Sequence, residues 1–269
     1  MPESDLALIR QAAVDAGEIA LAHWRGRFRH WEKPQGAGPV SEADLAVNAE
    51  LERVLRAARP DYGWLSEESP EDPTRAAAAR VFIIDPIDGT RAFIQGQDGF
   101  AVAVAVVENG RPIAGVVHQP ARGVTYAAAA GGPATRNDEP IHAAAAPLAG
   151  ARVLTSKSSL DAGFWRGGVA PDIKRGFRPS LASRFCMVAD GQFDAVLSMR
   201  PVWEWDVAAP SLIAECAGCA VTDRRGQGFR FNRTPPLGDG LIVAAPALHA
   251  EILGAMVQLP PGESEGTAE

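Results

Sequence analysis

The chain has 269 residues, 46% of them hydrophobic, and a formal net charge of −7. That apolar content suffices for one large domain or two packed subdomains and excludes disorder as the default. The acidic balance, with no long Lys/Arg block, excludes a nucleic-acid polymer as partner, so any recognition of phosphate has to be local.

Residues 5 to 24 place Leu8, Ile9, Ala12, Ala16, Ile19, Ala20 and Trp24 at helical spacing behind Ser4, which reads as an N-cap. A Gly/Pro-rich loop, Lys33-Pro34-Gln35-Gly36-Ala37-Gly38-Pro39, then leads to Ser41. A second helix follows on Leu45, Asn48, Leu51, Val54, Leu55 and Ala58 and stops before Pro60. Strand signals come next at Trp64-Leu65, Val81 to Ile84, Ala101 to Val107, Ile113 to Val117 and Val124 to Ala127, with Asn109-Gly110 as a hairpin turn. Beyond them short strands and helices alternate: Val153-Leu154, a helix near Ser183 to Asp190, Phe193 to Leu197, a helix from Asp206, Ala220-Val221, Leu241 to Ala244 and a helix from Pro246. Two helices with a largely antiparallel sheet, followed by alternating β and α, predict an α/β (α+β) protein of two packed layers. The boundary is expected near residues 140 to 150, at Ala143-Ala144-Ala145-Ala146-Pro147, which divides the chain into halves 1–145 and 146–269.

The first residues lack a basic segment followed by an apolar core and a small-residue cleavage site, and no apolar run nears the ~20 residues of a membrane span. A cytoplasmic protein with no membrane partner is the expectation. Cys186, Cys216 and Cys219 form neither an even disulfide framework nor a four-ligand zinc set, which fits a reducing compartment. Cys216-Ala217-Gly218-Cys219 has redox-motif spacing, but it falls where an apolar helix ends, and buried small residues are the preferred reading. The histidines are scattered, with no His-Glu-x-x-His pattern.

The chemistry concentrates in Asp85-Pro86-Ile87-Asp88-Gly89-Thr90, entered from the apolar stretch Val81 to Ile84. A tight turn at Pro86 would point both carboxylates into one small space, and two anions held that close demand a cation. Mg²⁺ suits carboxylate, carbonyl and water oxygens and often completes its shell with a substrate phosphate. Gly89 lets the backbone approach such a phosphate, and Thr90 adds a hydroxyl. Other acids are ambiguous. Taken alone, Asp206 reads as the N-cap of its helix, with Pro210 requiring a helix start close to Asp206. Asp44 fits a capping box with Ser41, and Glu67 and Glu68 fit a solvated loop.

Leu65-Ser66-Glu67-Glu68, Asp85-Pro86-Ile87-Asp88-Gly89-Thr90 and Trp205-Asp206-Val207-Ala208-Ala209, in this order and separation, resemble the three signatures of the inositol monophosphatase superfamily. The resemblance implies a layered αβαβα sandwich of the inositol monophosphatase / fructose-1,6-bisphosphatase type, a homodimer, and a Mg²⁺-dependent phosphomonoesterase inhibited by lithium. By that resemblance Glu67, Asp85 and the Ile87 carbonyl match the ligands of one ion, and Asp85, Asp88 and Asp206 those of a second. A third, weakly held ion would rest on Glu67 and waters. Gly89 and Thr90 match the amides that hold the phosphate, and Asp44 with Thr90 matches the pair that orients the attacking water. The first half would thus carry most metal ligands and the second would complete the site. Asp88→Asn is expected to abolish turnover while leaving the fold intact.

The substrate expected is a small phosphorylated metabolite. Leu65-Ser66-Glu67-Glu68, Thr90-Arg91-Ala92-Phe93-Ile94 and Ser183-Arg184-Phe185-Cys186-Met187-Val188-Ala189-Asp190-Gly191 are similar to the 3'(2'),5'-bisphosphate nucleotidase branch, which acts on 3'-phosphoadenosine 5'-phosphate. A second phosphate needs a cation away from the metals, for which Arg184, Arg200 and Lys157 are candidates, unless they are solvated or paired with Asp190 and Asp194. Pro210 and Ser180-Leu181-Ala182 depart from the family pattern on the substrate side, so an inositol-1-phosphatase or broad sugar-phosphate phosphatase stays as an alternative, as does a non-catalytic binding module for a divalent ion and a phospho-ligand. Arg91 and the second half are left to choose the substrate.

Overall fold

A computed structural model describes residues 4–36 and 38–257. Helices α1 (Asp5–His23) and α2 (Glu42–Ala58) open the chain, both capped as their sequences require: Ser4 accepts from the Ala7 N–H, and Ser41 with Asp44 forms a closed capping box. Between them the Gly/Pro loop is the tip of a hairpin, β1 (His30–Glu32) against β2 (Pro39–Ser41), too short to leave a strand signal in the sequence.

The first large sheet has seven strands in chain order: β3 (Gly63–Ser66), β4 (Arg80–Asp88), β5 (Ala101–Glu108), β6 (Arg111–Gln119), β7 (Val124–Ala129), β8 (Thr135–Arg136) and β9 (Glu139–Pro140). The β3–β4 pair is parallel and the rest antiparallel. Asn109 and Gly110 both have positive φ and form the two-residue loop between β5 and β6. Helix α3 (Thr90–Ile94) leaves the end of β4. In the second half come β10 (Arg152–Thr155), β11 (Lys174–Gly176), helix α4 (Leu181–Ala189), β12 (Ala195–Ser198), β13 (Val202–Trp203), helix α5 (Glu204–Cys216), β14 (Ala220–Thr222), β15 (Leu237–Gly238), β16 (Leu241–Ala244) and helix α6 (Pro246–Ala255). Five of these strands make a mixed sheet in the order β11-β10-β12-β16-β14.

Period-two alternation assigns the layers. Phe82, Ile84, Val102, Val104 and Val106 pack under α1 and α2, whereas Val81, Ile83, Ala101, Ala103 and Ala105 face α4 and α5. The other side of α4 and α5 meets Leu154, Val196, Leu241 and Val243 of the second sheet, whose far face packs with Leu248 and Ile252 of α6. The result is helix pair, sheet, helix pair, sheet, helix. The alanine-rich face lets α5 approach closely: a Cβ added at Gly115 of β6 would lie 2.7 Å from the Ala209 carbonyl oxygen. That approach carries the start of α5 to the end of β4.

Two local expectations change. Helix α5 begins at Glu204, so Asp206 lies inside its first turn rather than at the cap, and Pro210 lies in the interior. The earlier start has an anchor, because the Glu204 carboxylate accepts the N–H groups of Asn232 (2.6 Å) and Arg233 (3.0 Å). Pro210 lacks the N–H that would bond the Asp206 carbonyl, a loss the packed helix tolerates. In β4, Asp85 to Asp88 form no turn that ends the strand.

Candidate active site

Strand β4 continues through Asp88, but its register against β5 slips: Asp85 pairs with Ala103 and Asp88 with Ala101. In a regular strand, residues three apart point to opposite faces. The extra residue of this bulge returns Asp88 to the side of Asp85. Gly89 then takes φ 99°, a left-handed conformation, and a Cβ there would meet the Gly99 carbonyl oxygen at 2.9 Å. This kink starts α3 at Thr90, where the first N–H groups of a helix have no intrahelical partner.

Asp206 arrives from α5, and one carboxylate oxygen from each of Asp85, Asp88 and Asp206 lies within 4.8 Å of the others. Glu67 follows β3, whose parallel pairing with β4 places it beside Asp85. Together with Ile87, Gly89 and Thr90 these acids line one cavity of about 500 Å³. Burial, and then the charges of Glu67, Asp88 and Asp206, push the Asp85 carboxyl well above the usual range, and burial with Asp88 and Glu67 does the same to Asp206. Asp85 Oδ1 is buried without any hydrogen-bond partner. Oxygen donors, mutual repulsion and an orphaned carboxylate oxygen all fit a hard divalent cation.

Asp88 has a second task. Its Oδ2 accepts from Ser180 Oγ (2.6 Å) and the Ala182 N–H (2.6 Å), and its Oδ1 from the Leu181 N–H (3.1 Å). It therefore caps α4 from the other half of the chain, and these bonds oppose the upward push that burial exerts on its pKa. Asp88→Asn would place amide hydrogens against such donors, so the expectation of an untouched fold is withdrawn. Asp44 is likewise both things at once. Oδ2 completes the capping box through the Ser41 N–H (2.9 Å) and Oγ (2.5 Å), while Oδ1 lies 3.0 Å from Thr90 Oγ1. The Thr90 hydroxyl has one proton to share between Asp44 Oδ1 and the Ile87 carbonyl, also at 3.0 Å. Burial raises the Asp44 pKa.

A sequence profile of the inositol monophosphatase family matches residues 1–260. The chain belongs to the inositol monophosphatase family. It is thereby a phosphatase, a hydrolase acting on phosphate monoesters. A 3'(2'),5'-bisphosphate nucleotidase CysQ of Salmonella typhimurium is 32% identical over 235 residues, covering 84% of this chain and 93% of that protein. An inositol-1-monophosphatase of Rhizobium meliloti is 33% identical over 237 residues, covering 82% and 83%. Among solved structures, the extragenic suppressor protein suhB of Bartonella henselae superposes with a TM-score of 0.78 at 26% identity, covering 92% and 96%. As a member of this metal-dependent family, the chain has in Asp85, Asp88 and Asp206 a group able to hold an ion.

The three candidate cations for a second phosphate lie outside the cavity lining. Arg184 Nε donates to the Arg178 carbonyl (2.6 Å) and its guanidinium stacks 4.5 Å from the centre of the Phe177 ring, so it braces the 177–179 loop. Arg200 and Lys157 are exposed. Asp190 and Asp194 bond other partners, Tyr126 and Arg152 among them. Sequence reasoning also missed Lys33, whose Nζ binds Glu67 Oε1 and Glu68 Oε1 at 2.7 Å each, so one oxygen of the carboxylate expected to hold a third ion already has a partner. Burial nevertheless raises Glu68 to about 7. No spacing rule links residues 34 apart; only the β1–β2 hairpin brings them together. Gln95, Gln97, Phe177 and Pro179 complete the lining and carried no motif. Cys216 and Cys219 are free, and burial pushes Cys219 up to about 12, against redox use. No helix among the described residues is long and apolar enough to cross a membrane.

Proposed function

We propose that this protein is a Mg²⁺-dependent phosphomonoesterase whose favoured substrate is 3'-phosphoadenosine 5'-phosphate. The observation that carries the reaction type is the triad of carboxylates, buried at Asp85 and Asp88 and half-buried at Asp206, with an unpartnered oxygen beside the Asp44–Thr90 pair. Glu67, Asp85 and the Ile87 carbonyl would hold one ion, and Asp85, Asp88 and Asp206 a second. Such a pair supplies positive charge against the phosphate oxygens and a lowered pKa for the attacking water.

The remaining chemistry belongs to side chains and amides of the chain. The Gly89 and Thr90 N–H groups, presented by the left-handed kink, hold phosphate oxygens. Water attacks phosphorus, and its proton passes to Thr90 Oγ1 as the hydroxyl proton moves to Asp44 Oδ1. The phosphorus–ester oxygen bond breaks, and the departing oxygen takes up a proton from solvent water to leave as an alcohol. Phosphoryl transfer asks mainly for positioning and charge neutralisation, which explains why no strong nucleophile is needed.

The nucleotidase choice is supported by the relative of that name and by the local sequence resemblances. A second reading, an inositol-1-phosphatase, is favoured by the absence of Arg184 from the cavity lining and by the relative from Rhizobium meliloti. A Mg²⁺-dependent phosphate-release panel of 3'-phosphoadenosine 5'-phosphate, inositol-1-phosphate and fructose-1,6-bisphosphate decides between them. Preference for the nucleotide is expected; preference for inositol-1-phosphate overturns the choice, and ligand binding without phosphate release leaves a non-catalytic binding module. The same reading carries a cytoplasmic homodimer, whose mass light scattering would measure.

A further inference from the structure

The catalytic cavity has two walls that the phosphate chemistry does not use. One is Arg91 with Gln95 and Gln97, the other Phe177 with Pro179. Arg91 is one residue beyond Thr90, on the first turn of α3, and its side chain is exposed. It leans towards the β1–β2 hairpin, since a Cβ at Gly38 would lie 4.0 Å from its Nη2. Its guanidinium has no hydrogen bond or ion pair among the described residues, although the cavity floor is acidic. It is not the counter-charge of the floor, and its planar fork of donors remains available.

Phe177 is 53% exposed, which on an open surface would be unremarkable. Here it lines the cavity, while Arg184, outside the lining, packs on its ring and is itself tied to the carbonyls of Arg178 and Pro179. The ring is held from behind and open in front.

We infer that Arg91 and Phe177 form the subsite for the part of the substrate that leaves: a second phosphate on Arg91 and a planar aromatic base against Phe177. This deepens the nucleotidase reading and rests on it, with Arg91 in the place first sought for Arg184. A polyol monophosphate would use neither wall. Arginine bound to phosphate forms charge-assisted, often bidentate bonds, and a base on an aromatic ring gains stacking energy without base-specific hydrogen bonds.

The test compares kcat/KM for 3'-phosphoadenosine 5'-phosphate, for adenosine 3'-phosphate, which lacks the second phosphate, and for fructose-1,6-bisphosphate, which lacks the base. Arg91→Ala is expected to lower the preference for the bisphosphate nucleotide over adenosine 3'-phosphate by about 10- to 100-fold. Phe177→Leu is expected to lower the preference for the nucleotide over the sugar bisphosphate by about 10-fold, with Phe177→Trp restoring it. Calorimetric titration with adenosine 5'-phosphate gives a readout apart from turnover, and Arg91→Ala should weaken that binding by about 10-fold or more. An active wild type whose variants keep all these ratios within about twofold overturns the subsite alone. A shift in only one variant keeps that wall and overturns the other. A wild type that releases phosphate from none of the esters overturns the phosphatase reading beneath it.

Discussion

The first turn of α5 sends two acids into opposite surroundings. Glu204 and Asp206 are two residues apart and so face different ways from the helix. Glu204 enters a closed knot in which it accepts the N–H groups of Asn232 and Arg233. Beside it the fully buried Arg75 donates to Asn232 Oδ1, the Arg233 carbonyl and Glu71, leaving only its Nε without a partner. Asp206 enters the cavity, where its neighbours are Asp85 and Asp88, while Arg184, whose charge acts on Asp88 and Asp206, directs its donors to backbone carbonyls. Both regions bury charge, but the knot directs two backbone N–H groups at its acid, whereas the cavity leaves Asp85 Oδ1 with no hydrogen-bond partner. Buried charge that the chain balances is structural, and buried charge that it leaves unbalanced is kept for something that arrives from outside.

The largest effect should come from the open region. Asp85→Asn is expected to lower kcat/KM by ~10³-fold or more, since it removes the carboxylate proposed to be shared by both ions. Phosphate release at saturating Mg²⁺ measures this, and near-normal turnover would break the contrast between the regions. The knot should behave in the opposite way. Arg75→Met leaves buried partners without their donor, at a cost of about 3–5 kcal/mol in chemical denaturation, while kcat of the folded enzyme is retained. A third measurement turns the contrast around. Without metal, Asp85→Asn should stabilise the protein by about 1–2 kcal/mol, because one of the crowded charges is gone. Mg²⁺ should then raise the Tm of the wild type more than that of the variant, and equal shifts would count against an ion on Asp85.

The smallest effect concerns a buried group that is kept neutral. His118 lies under α1 with Nδ1 2.8 Å from Thr125 Oγ1, and burial lowers its pKa below the ordinary 6.5. His249, buried near Thr222, shifts the same way. A depressed histidine pKa gives stability that is full above 6.5 and lost as pH falls below it, because the unfolded chain takes up the proton first. Tm should therefore fall as pH drops from about 7 to about 5, and His118→Gln should flatten that fall. A slope unchanged in His118→Gln would show that the histidine titrates freely in the fold.

Much of this was legible in the chain. Ser4 and Ser41 mark helix starts because a cap needs only neighbours in sequence, and Asn109-Gly110 marks a hairpin because its positive φ values are local. The unbroken apolar run Val81 to Ile84 declares a strand buried on both faces. The start of α5 was misplaced because its anchor is the loop at 232–233, far along the chain. The second-phosphate cations rest on residue type and local resemblance, and neither reveals that Arg184 directs its Nε to its own loop.

By itself the sequence determined α1 and α2 with their caps, the longer strands of the first sheet, and the acids available to a cation, because these follow from periodicity and residue chemistry over short spans. Only the tertiary structure decided that a bulge returns Asp88 to the side of Asp85, that Asp88 caps α4 and that Lys33 reaches Glu67. It also decided that Arg91 and Phe177, rather than Arg184, line the cavity. Each of those depends on which long-range partner takes up a donor or acceptor first, and a linear chain does not state that order.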